Sequence, residues 1–294
     1  MIVVAIFLLL FFVVIPYTIL SSNATEQINS ITTNNANANI NDLISQGYIS
    51  ISTGNFSQAI GYFDIVLKLQ PNNFIALNGK DASLIELGNY SQAISYSDKV
   101  LAIAPNYTGA LNNKGLALAA LENYSQAIGY FNRALNINPN DTSVLNNKGT
   151  ALLNLGSSLQ SIGYFNTALE LEPNNFLAIY NKGLALAALG NYSQAITCFD
   201  KALLINSDDT DALNGKGYTF LNLGNYSKSV VYSDKVLKLE PNNIPALINK
   251  GTALSSLGNY PQAIGYFDKV LKIQPNNVKA LNGKNTALEK LEKK

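Results

Sequence analysis

Histidine is absent from the 294 residues and cysteine occurs once, at Cys198. A His-based triad, a Cys/His zinc site and a disulfide framework therefore have no residues to build them. Most hydrolase chemistry goes with them, and no metal or cofactor is expected. Two polar side chains recur instead. Lysine returns every 34 residues as Lys80, Lys114, Lys148, Lys182, Lys216, Lys250 and Lys284. A catalytic lysine has no need of seven copies. On an apolar stripe its stem must lie along the core and deliver the ammonium outward, and the recurring Asp64, Asp98, Asp200, Asp234 and Asp268 are the expected acceptors. That reading is a structural charge ladder. Asparagine recurs one or two residues before these lysines, as Asn78, Asn112, Asn113, Asn146, Asn147, Asn181, Asn214, Asn249 and Asn282. Each carboxamide carries a donor and an acceptor together, which can grip a peptide backbone whatever its side chains. The competing reading is an Asn-rich chain that has filled a polar helix face.

N-X-Ser/Thr sequons begin at Asn23, Asn55, Asn89, Asn106, Asn123, Asn140, Asn191 and Asn225. They are candidate glycosylation sites if the chain faces outward. Asparagine between glycine and tyrosine also suits a turn, and would recur with the repeat for that reason alone. Cys198 stands where neighbouring segments carry tyrosine, and a lone thiol there reads as inert.

The elements that hold these residues follow from composition and period. Hydrophobic residues make up 47% and charged residues 13%, with a formal net charge of +1, so the chain has apolar surface for a core. The basic residues read as scattered singly, which argues against nucleic acid as a partner. Ile2 to Ile15 is an unbroken apolar run that continues weakly to Leu20. Counted to Leu20 it forms roughly 28 Å of helix, just enough to cross a bilayer. Counted to Pro16 it resembles the apolar core of a cleaved signal, with Ser22 and Ala24 as small residues for cleavage. The missing basic n-region favours an uncleaved anchor through residues 2–20, with the rest of the chain outside the cytoplasm. Residues 21–39, rich in Asn, Ser and Thr, read as a flexible polar linker.

From Ile40 the sequence divides every 34 residues without an insertion, into 40–73, 74–107, 108–141, 142–175, 176–209, 210–243 and 244–277, with a shorter piece at 278–294. In 108–141, Ala110, Leu111, Ala117, Leu118 and Leu121 share one helical stripe. Tyr124, Ala127, Ile128, Phe131, Ala134 and Leu135 share a second. The predicted unit is helix, Leu-Gly-Asn turn, helix, then a Pro-Asn stop, because proline cannot extend the preceding helix.

Four positions carry a family resemblance. Glycine recurs in the first helix as Gly47, Gly115, Gly149, Gly183, Gly217 and Gly251. Alanine recurs in the second as Ala59, Ala93, Ala127, Ala195 and Ala263. The aromatic one turn later is Phe63, Phe131, Phe165, Phe199 or Phe267, and the closing proline is Pro71, Pro105, Pro139, Pro173, Pro241 or Pro275. The pattern resembles the tetratricopeptide repeat family over residues 40–294. The resemblance implies an all-α, right-handed superhelical α-solenoid whose first helices line a concave groove. It implies a non-catalytic scaffold binding a protein or an extended peptide there, and the asparagines resemble ladders that some members use for peptide backbones. Gly79, Gly215 and Gly283 interrupt that ladder. The basic clamp of other members has no counterpart. The packing expected is glycine against alanine, with phenylalanine filling the wedge below, so that Gly149→Leu should cost about 1–3 kcal/mol by overpacking.

The departures are equally specific. Asp81 and Ser97 replace glycine and aromatic in the second unit, and Ser229 and Ser233 replace alanine and aromatic in the sixth. A missing phenylalanine forfeits about 3–5 kcal/mol in a fixed cavity, so these two units are the expected soft points. Ser158 and Ser161 stand in the fourth unit, and Ser207 closes the fifth where proline is expected. Tyr62, Tyr96, Tyr130, Tyr164, Tyr232 and Tyr266 form a ladder assigned to packing between units. Residues 278–294 read as a polar capping helix. The alternatives to a binding scaffold are a glycosylated spacer or self-associating surface protein, and a regulatory subunit of an enzyme complex.

Overall fold

A computed structural model of the chain describes residues 40–293. Fifteen α-helices and no strands occur among them, in two compact parts. The part ending at Gly156 holds α1 (Ile40–Ser52), α2 (Phe56–Leu69), α3 (Phe74–Glu86), α4 (Tyr90–Ile103), α5 (Thr108–Ala120), α6 (Tyr124–Ile137) and α7 (Thr142–Asn154). The part from Ser157 holds α8 (Ser158–Leu171), α9 (Phe176–Ala188), α10 (Tyr192–Ile205), α11 (Thr210–Asn222), α12 (Tyr226–Leu239), α13 (Ile244–Ser256), α14 (Tyr260–Ile273) and α15 (Val278–Glu292). The expected anchor at 1–20, the linker at 21–39 and the sequon at Asn23 lie outside the described residues. Among the described residues no helix is long and apolar enough to cross a membrane.

Short signals set the helix ends. Gly88 follows α3 with φ 75°, and the glycines at the equivalent turns also have positive φ. This left-handed conformation costs a residue with a Cβ about 1–2 kcal/mol. Glu122 adopts it all the same, at φ 61°. The Pro-Asn-Asn stops do two jobs. Proline cannot continue the even-numbered helix, and the second asparagine caps the next odd one: the side chains of Asn73, Asn175, Asn243 and Asn277 accept hydrogen bonds from the backbone N–H of Ala76, Ala178, Ala246 and Ala280. Asp141 and Asp209 do the same for α7 and α11. Tyr107 heads α5 without such a cap and packs edge-on against Phe74 at 5.3 Å.

Packing corrects one expectation. The first-helix glycines Gly47, Gly115, Gly183 and Gly251 meet the phenylalanine ring itself, while Gly217 meets Tyr232. A Cβ added at Gly115 would lie 2.4 Å from Cε1 of Phe131, and one at Gly47 would lie 2.5 Å from Phe63. Phe63 is clamped from its other side by Gly79 of α3, where a Cβ would come within 2.3 Å of the ring. The interruptions in the asparagine series therefore have a cause. Gly79, Gly215 and Gly283 make room for Phe63, Phe199 and Phe267, whereas Asn113 and Asn249 follow the smaller Ser97 and Ser233. Asn147 and Asn181, which follow Phe131 and Phe165, depart from this rule.

Within each part every helix packs on its neighbours in sequence. Odd-numbered helices also touch the next odd helix: α1 touches α3, and α9 touches α11. No even helix brings its backbone as close to the next even one within either part among the described residues. The odd helices thus form the closer-set layer of each part, and the even helices form the splayed one. At the C-terminal end α15 buries Ala280 and Ala287 but exposes Val278, Leu281, Leu288 and Leu291. Its exposed surface also carries Lys279, Asn282, Asn285, Glu289 and Lys290.

Candidate binding faces

The asparagines divide by position along the odd helices. Asn78, Asn146 and Asn249 are buried, Asn112, Asn113, Asn147, Asn181 and Asn214 are half-buried, and Asn282 is exposed. Several already bond to one another. The Asn113 amide on α5 donates to the Asn78 carbonyl on α3 at 3.3 Å, and the Asn147 amide on α7 donates to the Asn112 carbonyl on α5 at 2.9 Å. In the C-terminal part Asn214 donates to Asn243, the cap of α13, at 3.1 Å. The ladder is therefore partly a seam between successive odd helices. Each bonded carboxamide keeps further donor or acceptor capacity. Beside it, the odd helices expose Tyr48 and Ile75 in one part and Leu177 and Tyr218 in the other, apolar contacts among polar backbone grips.

The lysine ladder forms as expected and adds a partner. Lys80 on α3 reaches back to Asp64 on α2 at 2.5 Å, and Lys284 to Asp268 at 2.7 Å. Lys114, Lys216 and Lys250 pair in the same way with Asp98, Asp200 and Asp234. Each of Lys80, Lys114, Lys216 and Lys250 also lies over a tyrosine of its own hairpin, 4.8, 4.5, 4.4 and 4.2 Å from the ring centres of Tyr96, Tyr130, Tyr232 and Tyr266. Burial alone lowers the Lys80 ammonium's pKa, but its bonds to Asp64 and Tyr96 outweigh that and hold it above the ordinary lysine value. The tyrosine ladder thus joins one hairpin to the next through lysine.

Asp81 is the exceptional acid. It occupies the glycine position of α3, has no exposed surface, and accepts a hydrogen bond from Ser97 at 2.6 Å on one oxygen, while the other has no hydrogen-bond partner. Burial pushes its carboxyl up to about 7 against the pull of Ser97 and the Asn113 carboxamide, with the charge of Asp98 adding to the rise. In the hairpin of α11 and α12, the hydroxyls of Ser229 and Ser233 are buried without partners. Phe220 there replaces the usual leucine and stacks on Tyr232 at 5.5 Å. Both hairpins that lack the phenylalanine therefore hold buried, incompletely bonded oxygen.

Cys198 is half-buried, and burial raises its thiol above the usual value despite Lys182 and Lys201. Such a thiol stays protonated and unreactive at neutral pH. Among the described residues no group of acidic, histidine or cysteine side chains is placed to hold a metal ion. The sequons among the described residues lie on turns. Asn55, Asn89, Asn106, Asn140 and Asn191 are exposed, while Asn123 and Asn225 are half-buried. Of those heading even helices only Asn225 caps with its side chain, accepting from the Lys228 N–H at 3.2 Å; Asn55, Asn89, Asn123 and Asn191 make no such cap.

Family models described as tetratricopeptide repeat match residues 46–108, 109–141, 142–175, 176–209, 210–243 and 244–277. The chain belongs to the tetratricopeptide repeat family. Its paired helices are those of a repeat solenoid, and solved structures agree. A tetratricopeptide repeat protein from Parabacteroides merdae ATCC 43184 has a TM-score of 0.65 at 16% identity, over 85% of this chain and 98% of that one. A chain of the APC/C hetero-tetramer Cut9–Hcn1 has a TM-score of 0.74 at 18% identity; the match takes in 90% of this chain and 51% of that chain. YrrB, a tetratricopeptide repeat protein with an unusual peptide-binding site, scores 0.51 at 23% identity, over 63% and 95%. At these identities the likeness concerns the fold. A comparison with curated proteins finds no match.

Proposed function

We propose that this tetratricopeptide repeat protein is a non-catalytic scaffold that binds a protein or an extended peptide along its odd-numbered helices. The observation that carries the reading is the polar seam on that layer. Carboxamides with unused hydrogen-bonding capacity alternate there with exposed Tyr48, Ile75, Leu177 and Tyr218. An extended backbone needs the first, and its side chains the second. The peptide-binding site of YrrB is in keeping with it. The N-terminal apolar run, as anchor or cleaved signal, would place the repeats outside the cytoplasm. Chemistry at the groove would then have to come from another chain, since catalysis has no equipment in these repeats.

The test is to pan a peptide library against the full chain in detergent and measure the selected peptides by anisotropy. Tyr218→Ala and Leu177→Asp, both at exposed positions, should each weaken binding about tenfold without lowering the melting temperature. A library with no enriched sequence, or affinities untouched by both variants, would overturn the reading. The sequons on exposed turns support a second role as a glycosylated surface spacer. Intact mass of protein from its native source, with glycan at Asn55 or Asn191, is the expected result for that role.

A further inference from the structure

The basic residues were expected to be scattered, yet eleven of the twenty lie in residues 226–294 against five acidic ones. The fold gathers several of them on one ridge. Lys235 and Lys238 stand one turn apart on α12, and Lys269 and Lys272 stand at the same places on α14; all four are exposed. No carboxylate pairs with any of them among the described residues. Earlier even helices lack this doubled pattern, since the corresponding pairs are Lys99 with Ala102, Arg133 with Asn136 and Lys201 with Leu204. The repeat therefore does not impose it. Between α12 and α14, over α13, lies a cleft of about 270 Å³ bordered by Lys238, Lys250 and Lys269, with Tyr266 inside it and Leu237, Pro241 and Leu247 as apolar wall.

We infer that this ridge, carried by the even helices α12 and α14, docks an acidic polypeptide segment. Charge sets the sign of the partner, and three details set its class. Lysines three apart on a helix have Cβ atoms about 5–6 Å apart, close to the roughly 7 Å between alternate side chains of an extended chain, so alternate carboxylates meet successive lysines. The apolar wall suits the methylene stem of a glutamate. Nucleic acid is poorly served: the ridge has no arginine for bidentate phosphate contacts, and lysines lie over the Tyr266 ring at 4.2 and 4.9 Å, which denies a base its stacking face. Asp234 remains bound to Lys250 beneath the cleft, leaving Lys238 and Lys269 as the accessible charges.

The probe is a fluorescein-labelled decamer of alternating glutamate and serine, titrated against the full chain in detergent. Saturable binding that weakens at least tenfold between 50 and 300 mM salt is expected. Lys238→Glu with Lys269→Glu should abolish it, while the same reversal at Lys99 and Arg133 leaves it nearly intact. Three results would each overturn the inference: no saturable binding, equal losses in the two double variants, or an oligothymidylate of matched charge binding as tightly as the peptide.

Discussion

The buried acid Asp81 makes the α3–α4–α5 junction sensitive to pH in a defined direction. An unfolded aspartate titrates near 3.8, and the folded one has been pushed up to about 7. Because the folded value is the higher, the native state holds the proton more tightly. Its contribution is complete below pH 3.8 and is lost as pH rises towards 7. A gap of about three pH units corresponds to about 4 kcal/mol. Asp81→Asn keeps the shape and the polar character but cannot ionise. Its stability relative to the parent should be flat below pH 4 and then climb to about 4 kcal/mol in its favour by pH 8. A repeat array opens locally, so the assay is amide exchange read residue by residue. Peptides from α3 to α5 should exchange faster in the parent at pH 8, after correction for intrinsic rates, while those from α13 and α14 behave alike in both proteins. Parent and variant curves that stay parallel from pH 4 to 8 would refute the argument, since no native proton would then be held.

Other substitutions test the local reasoning. Glu122→Gly relieves a left-handed residue and should stabilise the chain by about 1 kcal/mol, seen as a higher melting temperature. Two glycines of one hairpin should respond with opposite signs. Gly115→Leu drives a side chain into the Phe131 ring and should cost about 1–3 kcal/mol, whereas Gly129→Ala on α6 meets nothing within 4 Å and should gain up to about 1 kcal/mol. Urea unfolding of both variants checks the pair. Asp141→Ala removes the cap on the Val144 N–H and should cost about 1 kcal/mol, with exchange rising first at the start of α7.

Much of the architecture was legible before any fold. Apolar residues at helical spacing, glycine after most odd helices and proline after most even ones marked the elements, with Glu122 and Ser207 as the exceptions. The pairing of Lys80 with Asp64 and of Lys114 with Asp98 was also readable, because it repeats with the period. The second and sixth units announced their altered cores by type, as serine where phenylalanine belongs. The asparagines were less legible. Asn78 and Asn112 looked like free ligand groups, and they turned out to accept bonds from Asn113 and Asn147, a spacing of 35 residues that no local pattern flags. Burial of Asn146 and Asn249 was likewise invisible, since exposure on a helix depends on what the next hairpin covers.

Local chemistry by itself determined the helices, the turns, the repeat and hence the family, because each is set within a few residues by steric and hydrogen-bonding rules. The tertiary structure alone decided which way the glycines face, how deeply Asp81 sits, and which lysines share a ridge. Those depend on distances between residues far apart in the chain. Gly79 is read correctly only beside Phe63, and Lys238 only beside Lys269.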